Sequence, residues 1–141
     1  MRPERFQQFV IDTYRAAGLE AEPWADGMRR PFGVAVTLPG GARTRHAITV
    51  QSRDSDRYAD PEEPVEGDAP ASVDVPAPSG GRPAPAAVES YVTAVLTNAG
   101  SREIVRVYAY SDREQPATRP GFGVLFHSGA RAFCLLDGDA S

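Results

Sequence analysis

The apolar positions of the chain change period several times along its length. Over residues 3–17, Phe6, Phe9, Val10, Thr13 and Ala17 fall at offsets of 3, 4, 7 and 11, one face of an amphipathic helix. Pro3 suits its first turn and Gly18 the position just past its end. The following LEAEPWADGMRRP is polar and carries two prolines. It reads as a loop, with Trp24 folding back onto the core. Residues 32–38 then alternate, with Phe32, Val34, Val36 and Leu38 on one side and Gly33, Ala35 and Thr37 on the other, the period of a strand. In residues 44–50, His46, Ile48 and Val50 share a face. A three-residue loop over 39–41 sets Val34 opposite His46 and Phe32 opposite Ile48. An even-numbered loop would put the two apolar sets on opposite faces. The spacing therefore predicts a hairpin with an odd loop.

A helical period returns near the middle of the chain, with no internal repeat. Val88, Tyr91, Val92, Val95, Leu96 and Ala99 form an apolar stripe between Pro85 and Gly100, which predicts a second helix. Its β-branched residues are weak helix formers, so burial must hold it. Strands are expected at 103–110, 121–127 and 130–136, the last two joined by a two-residue Ser128-Gly129 turn that pairs His127 with Ala130 and Cys134 with Gly123. In that hairpin Phe122, Val124, Phe126, Phe133 and Leu135 share one face, and Leu125, Cys134 and Leu136 the other. Both faces are apolar, and the second needs cover from a helix or another subunit. The tail DGDAS is polar.

Residues 53–84 differ from both halves. They hold eight acidic residues, three arginines and six prolines with little periodicity. Such a segment buries too little to offset its ordering entropy, and a mobile acidic insertion is expected there. The fold class that results is α+β. A single domain over 1–141 carries a five-stranded, mainly antiparallel sheet with two helices packed on it, in the order α-β-β-(insertion)-α-β-β-β.

This element order resembles that of roadblock and other profilin-like domains, and is similar to that of small phage tail-terminator proteins. The 32-residue insertion departs from both. The first resemblance implies a dimeric adaptor, the second a ring-forming structural protein, and either implies a non-enzyme.

Composition narrows the chemistry. All 15 basic residues are arginine. With abundant Ala, Gly, Pro and Asp this resembles the coding bias of high-GC, actinobacterial genomes and carries no functional meaning. It does exclude mechanisms that require a lysine. The net charge of −4 offers no general attraction to nucleic acid. No apolar run approaches a bilayer span, and MRPERFQQFV lacks the apolar stretch of a signal peptide. A single cysteine makes no internal disulfide. These features predict a soluble, cytoplasmic protein without a membrane partner.

Candidate sites are few. Cys134 and His127 lie four residues apart along their hairpin, roughly 13 Å, too far for a nucleophile and its base. Cys134, within FCLL, reads as a small buried hydrophobe, and His127 as a turn residue. His46 with Arg45 is a possible polar site at the sheet margin; an enzyme would need His46 beside Cys134 from a neighbouring strand. DSDRYAD, residues 54–60, spaces Asp54, Asp56, Tyr58 and Asp60 like a calcium loop. Ala59 and Val65, however, stand where such a loop needs glycine and glutamate. No cofactor and no metal are indicated. Arg29 and Arg30 at the open end of the first hairpin, and Arg43 and Arg45 near its turn, form separate patches, and nucleic-acid binding is not favoured. Tyr108, Tyr110 and Arg106 share a strand face with Ile104 and form a possible interface, since Tyr and Arg are favoured at such surfaces. The expected function is a non-enzymatic interaction or structural module that self-associates as a homodimer or binds another protein. The alternatives are a phage-derived or mobile-element accessory protein associated with nucleic acid, and a small enzyme using His46.

Overall fold

A computed structural model describes residues 1–25, 27–28, 31–52, 59–76, 78, 83–112 and 119–139. Helix α1 spans Pro3–Ala16 and buries Phe6, Val10, Ile11 and Tyr14. It ends where Gly18 takes φ +86°. There the Gly18 amide donates to the Arg15 carbonyl and the Leu19 amide to the Tyr14 carbonyl, each at 3.0 Å, a Schellman closure. The closure redirects the chain at once into strand β1, Glu20–Pro23. Strands β2 (Gly33–Thr37) and β3 (Arg43–Gln51), helix α2 (Pro85–Thr97), and strands β4 (Ile104–Ala109), β5 (Gly121–Phe126) and β6 (Arg131–Asp139) follow.

The sheet has six strands, not five, in the order β1-β2-β3-β6-β5-β4 with every pair antiparallel. The additional strand is β1, inside the segment expected to be a loop. Only Ala21 of its four residues is buried, so it has no alternation to read. It exists because its backbone completes β2, with Ala21 opposite Val36. Its glutamates and Pro23 blunt that edge against further pairing.

The first hairpin has the expected register, Val34 opposite His46. Gly40 and Gly41 turn its loop with φ of 91° and 95°, values that glycine alone adopts freely. The second hairpin differs from expectation by one residue. Phe122, not Gly123, faces Cys134. The loop is three residues, His127-Ser128-Gly129, closed by the Phe126 amide on the Ala130 carbonyl at 3.1 Å. Gly129, at φ +91°, takes the left-handed position of such a loop. The shift of one residue turns β6 over. Cys134 and Leu136 join Phe122, Val124 and Phe126 in the core, while Phe133 and Leu135 move to the opposite face with Leu125.

Both helices pack on one face of the sheet. The core between the layers includes Phe6, Val10, Tyr14, Val34, Ile48, Val92, Leu96, Phe122 and Cys134. Residues 59–76 form no helix or strand and are fastened to the helical side by polar contacts. Glu62 accepts from the Arg2 amide and from Arg5 Nε, both at 2.9 Å, and Arg5 also grips Glu103. The Gly67 amide donates to the Arg102 carbonyl at 2.8 Å, and the Asp68 carbonyl meets His127 Nε2 at 2.9 Å. The Asn98 amide holds Val73 by both its N–H and its carbonyl at 2.8 Å. No described helix is long and apolar enough to cross a membrane.

Candidate functional site on the helix-free face of the sheet

His46 lies in the core rather than at the sheet margin. It is fully buried, its Nε2 stands 3.0 Å from the Tyr14 hydroxyl, and its ring meets Phe122 edge-on at 5.0 Å. Strand β3 runs beside β6, with His46 opposite Leu136 and Ile48 opposite Cys134. His46 and Cys134 thus occupy neighbouring positions on one face, the arrangement an enzyme would need. Their electrostatics are those of a core, however. Burial lowers the imidazole to about 3, opposed in part by the Ala47 backbone, and pushes the Cys134 thiol well up. The thiol is protonated and the imidazole neutral at pH 7, the reverse of a reactive thiolate–imidazolium pair. Neither side chain reaches solvent. Strand alternation sends Arg45 to the other face, so it shares no site with His46.

A buried acid went unnoticed in the sequence. Glu89, 2% exposed, accepts from the Gly121 amide at 2.7 Å and the Ser111 amide at 3.3 Å. It pins α2 to the strand ends. The signal was a charged residue inside an otherwise apolar helix. Among the described residues no three potential metal ligands converge. Asp54, Asp56 and Tyr58 of the acidic loop, with Arg29 and Arg30, lie outside the described residues.

The face of the sheet that carries no described helix has a different character. The registers place its side chains in cross-strand rows. Arg106, Leu125, Arg131 and Gln51 form one row; Tyr108, Gly123, Phe133 and Thr49 form the next; Gly121, Leu135, Ala47 and Gly33 form a third. Three aromatic rings cover the glycines. A Cβ on Gly123 would strike the Tyr108 ring, one on Gly121 the Tyr110 ring, and one on Gly33 would lie 2.9 Å from the Trp24 ring. Trp24 therefore folds back as expected, but onto this outer face. Arg45 stacks over Trp24 at 4.8 Å and Arg106 over Tyr108 at 5.2 Å, geometries of cation–π attraction. Leu125, Phe133 and Leu135 remain half-buried between these pairs.

The expected interface residues separate here. Arg106 and Tyr108 stand on the outer face. A bulge between Ile104 and Arg106 turns Ile104, 1% exposed, into the core. Tyr110 leaves the strand for a short 3-10 turn, Tyr110–Asp112, and is 5% exposed. Phe133, Leu135, Arg131 and Trp24 were missed as face residues. The available signal was the glycines inside β2 and β5, which mark close approach of another group.

The face offers guanidinium donors, aromatic surface and apolar side chains. A groove between α1 and α2, about 580 Å³ and lined by Phe9, Thr13, Tyr91 and Val95, runs beneath Val75. No protein-family model, curated protein or solved structure matches the chain.

Proposed function

We propose that the protein is a non-enzymatic interaction module that self-associates through the helix-free face of its sheet. One observation carries the reading: two arginine–aromatic pairs, Arg45 on Trp24 and Arg106 on Tyr108, border the half-buried Leu125, Phe133 and Leu135. Trp, Tyr and Arg dominate the energetics of protein interfaces, and a bare apolar strip invites a partner. The core position of His46 and Cys134 weighs against the enzymatic alternative.

Sedimentation equilibrium tests it. The wild type is expected to associate in the micromolar range. Tyr108→Asp should raise the Kd at least about tenfold, roughly 1.4 kcal/mol, with little change in unfolding midpoint, because Tyr108 is only partly buried. Tyr110→Asp serves as the contrast: it puts a charge into a buried site and should lower stability itself. A wild type that stays monomeric at tens of micromolar overturns the reading.

A further inference from the structure

We infer that the partner of this face is the acidic segment on the helical side of a second copy, so that copies join head to tail. The inference rests on the interaction-module reading and names what the face binds. Three observations carry it.

The first is charge. Arg106 and Arg131 flank Leu125 in one cross-strand row, two strand spacings or about 10 Å apart. Neither this row nor the Tyr108–Phe133 row beside it contains a carboxylate. Residues 59–76 hold six acidic residues and no basic one, and Asp60, Glu63, Glu66, Asp68 and Asp74 are exposed.

The second is apolar surface. Val73 is 48% and Val75 43% exposed, on either side of Asp74. Asn98 holds the backbone of Val73 in place, so this surface is presented from a fixed position rather than from a free coil. Acidic groups interleaved with exposed valines match arginines interleaved with Leu125 and Phe133.

The third is placement. Val75 lies at the groove between α1 and α2, with the helices and the sheet between it and the face, and the segment reaches the β5–β6 turn at Gly67 and Asp68. A symmetric pair that stacks the Arg106–Arg131 row on its own copy would set like charges against each other, which is unfavourable. A contact between unlike surfaces on identical chains is heterologous, and it continues into a ring or filament.

The test is a mixing experiment on full-length chains by analytical ultracentrifugation. One variant, Arg106→Glu with Arg131→Glu, loses the face. The other, Val73→Ser with Asp74→Arg, loses the acidic segment. All four side chains are exposed, and circular dichroism confirms folding of each. Each variant alone should associate at least about tenfold more weakly than wild type. Mixed, they retain one intact face and one intact segment between them. They should form a 1:1 heterodimer and nothing larger. Formation of that heterodimer also proves both variants folded.

If the wild type associates but the mixture stays monomeric, or if the Arg→Glu variant associates more strongly than wild type, the head-to-tail arrangement is overturned and a symmetric interface stands. If the wild type is itself monomeric at tens of micromolar, the interaction-module reading falls with it. A monomeric wild type that retains oligothymidylate through Arg106 and Arg131 would assign the face to nucleic acid instead.

Discussion

His46 makes the stability of this protein depend on pH from about 6.5 downward, beginning above the range where ordinary carboxylates titrate. Its ring is fully buried against Tyr14 and Phe122, and Nδ1 has no hydrogen-bond partner of normal geometry. Burial lowers its folded value from 6.5 to about 3. The unfolded chain therefore binds a proton below pH 6.5 that the folded chain refuses. Stability from the neutral ring is complete above pH 6.5, falls as the pH drops, and levels off below about 3. At about 1.4 kcal/mol per pH unit, lowering the pH from 6.5 to 4.5 should cost about 2–3 kcal/mol. Glu62 enters later. Burial pushes its carboxyl up, but Arg5 and the amino terminus outweigh this and hold it below 4.5, so its contribution is lost only at more acid pH. Urea unfolding at pH 7 and 4.5 checks the prediction. His46→Leu should flatten the slope, while losing some stability at pH 7 because the Tyr14 hydroxyl is left without its partner.

At the scale of elements, three strand glycines separate backbone constraint from ring placement. A Cβ on Gly33 would sit 2.7 Å from the Trp24 carbonyl oxygen and 2.8 Å from that of His46, and one on Gly121 would strike the Cys134 carbonyl oxygen. Backbone oxygens locked in a ladder cannot yield, so Gly33→Ala and Gly121→Ala should each cost about 1–3 kcal/mol of unfolding free energy. Gly123 is different. The atoms its Cβ would meet belong to the far end of the Tyr108 ring, a side chain that can swing aside. Gly123→Ala should leave the unfolding midpoint nearly unchanged, yet weaken self-association by displacing Tyr108. Chemical denaturation and sedimentation, run on the same three variants, separate the two effects.

Over the molecule as a whole, the described residues of the helix-free face and of the acidic segment carry opposite charge. The net charge of the chain is −4, yet Arg43, Arg45, Arg106 and Arg131 stand on the helix-free face, with Glu20 and Glu22 confined to the β1 end. Glu22 there meets Arg43 at 3.6 Å. The acidic segment occupies the helical side. Contacts between exposed charges weaken as salt shortens the Debye length from about 14 Å at 0.05 M to about 4 Å at 0.5 M. Self-association should accordingly weaken over that range of sodium chloride, read as a falling weight-average mass. An interface held by apolar contact alone would hold or strengthen.

Local features were legible in the chain. Both helices, the strands of both hairpins and the register of Val34 against His46 follow from periodicity and loop residues, which act over a few positions. The burial of Cys134 was legible from its place in the apolar run FCLL, although the expected register put it on the face opposite Phe122. Arg106 and Tyr108 were recognisable as a pair because they alternate within one strand. What lay beyond the sequence was decided between distant segments. Strand β1 has one buried residue and owes its existence to the backbone of β2. Ser128-Gly129 reads as a two-residue turn, and the core overrides that reading with a three-residue loop, because only the longer loop turns Cys134 and Leu136 inward with Phe122. The outer face exists only because β6 runs between β3 and β5, bringing Phe133, Leu135 and Arg131 beside Tyr108 and Arg106. Strand order depends on which pairing buries the most apolar surface across the whole domain, and no local pattern encodes that sum.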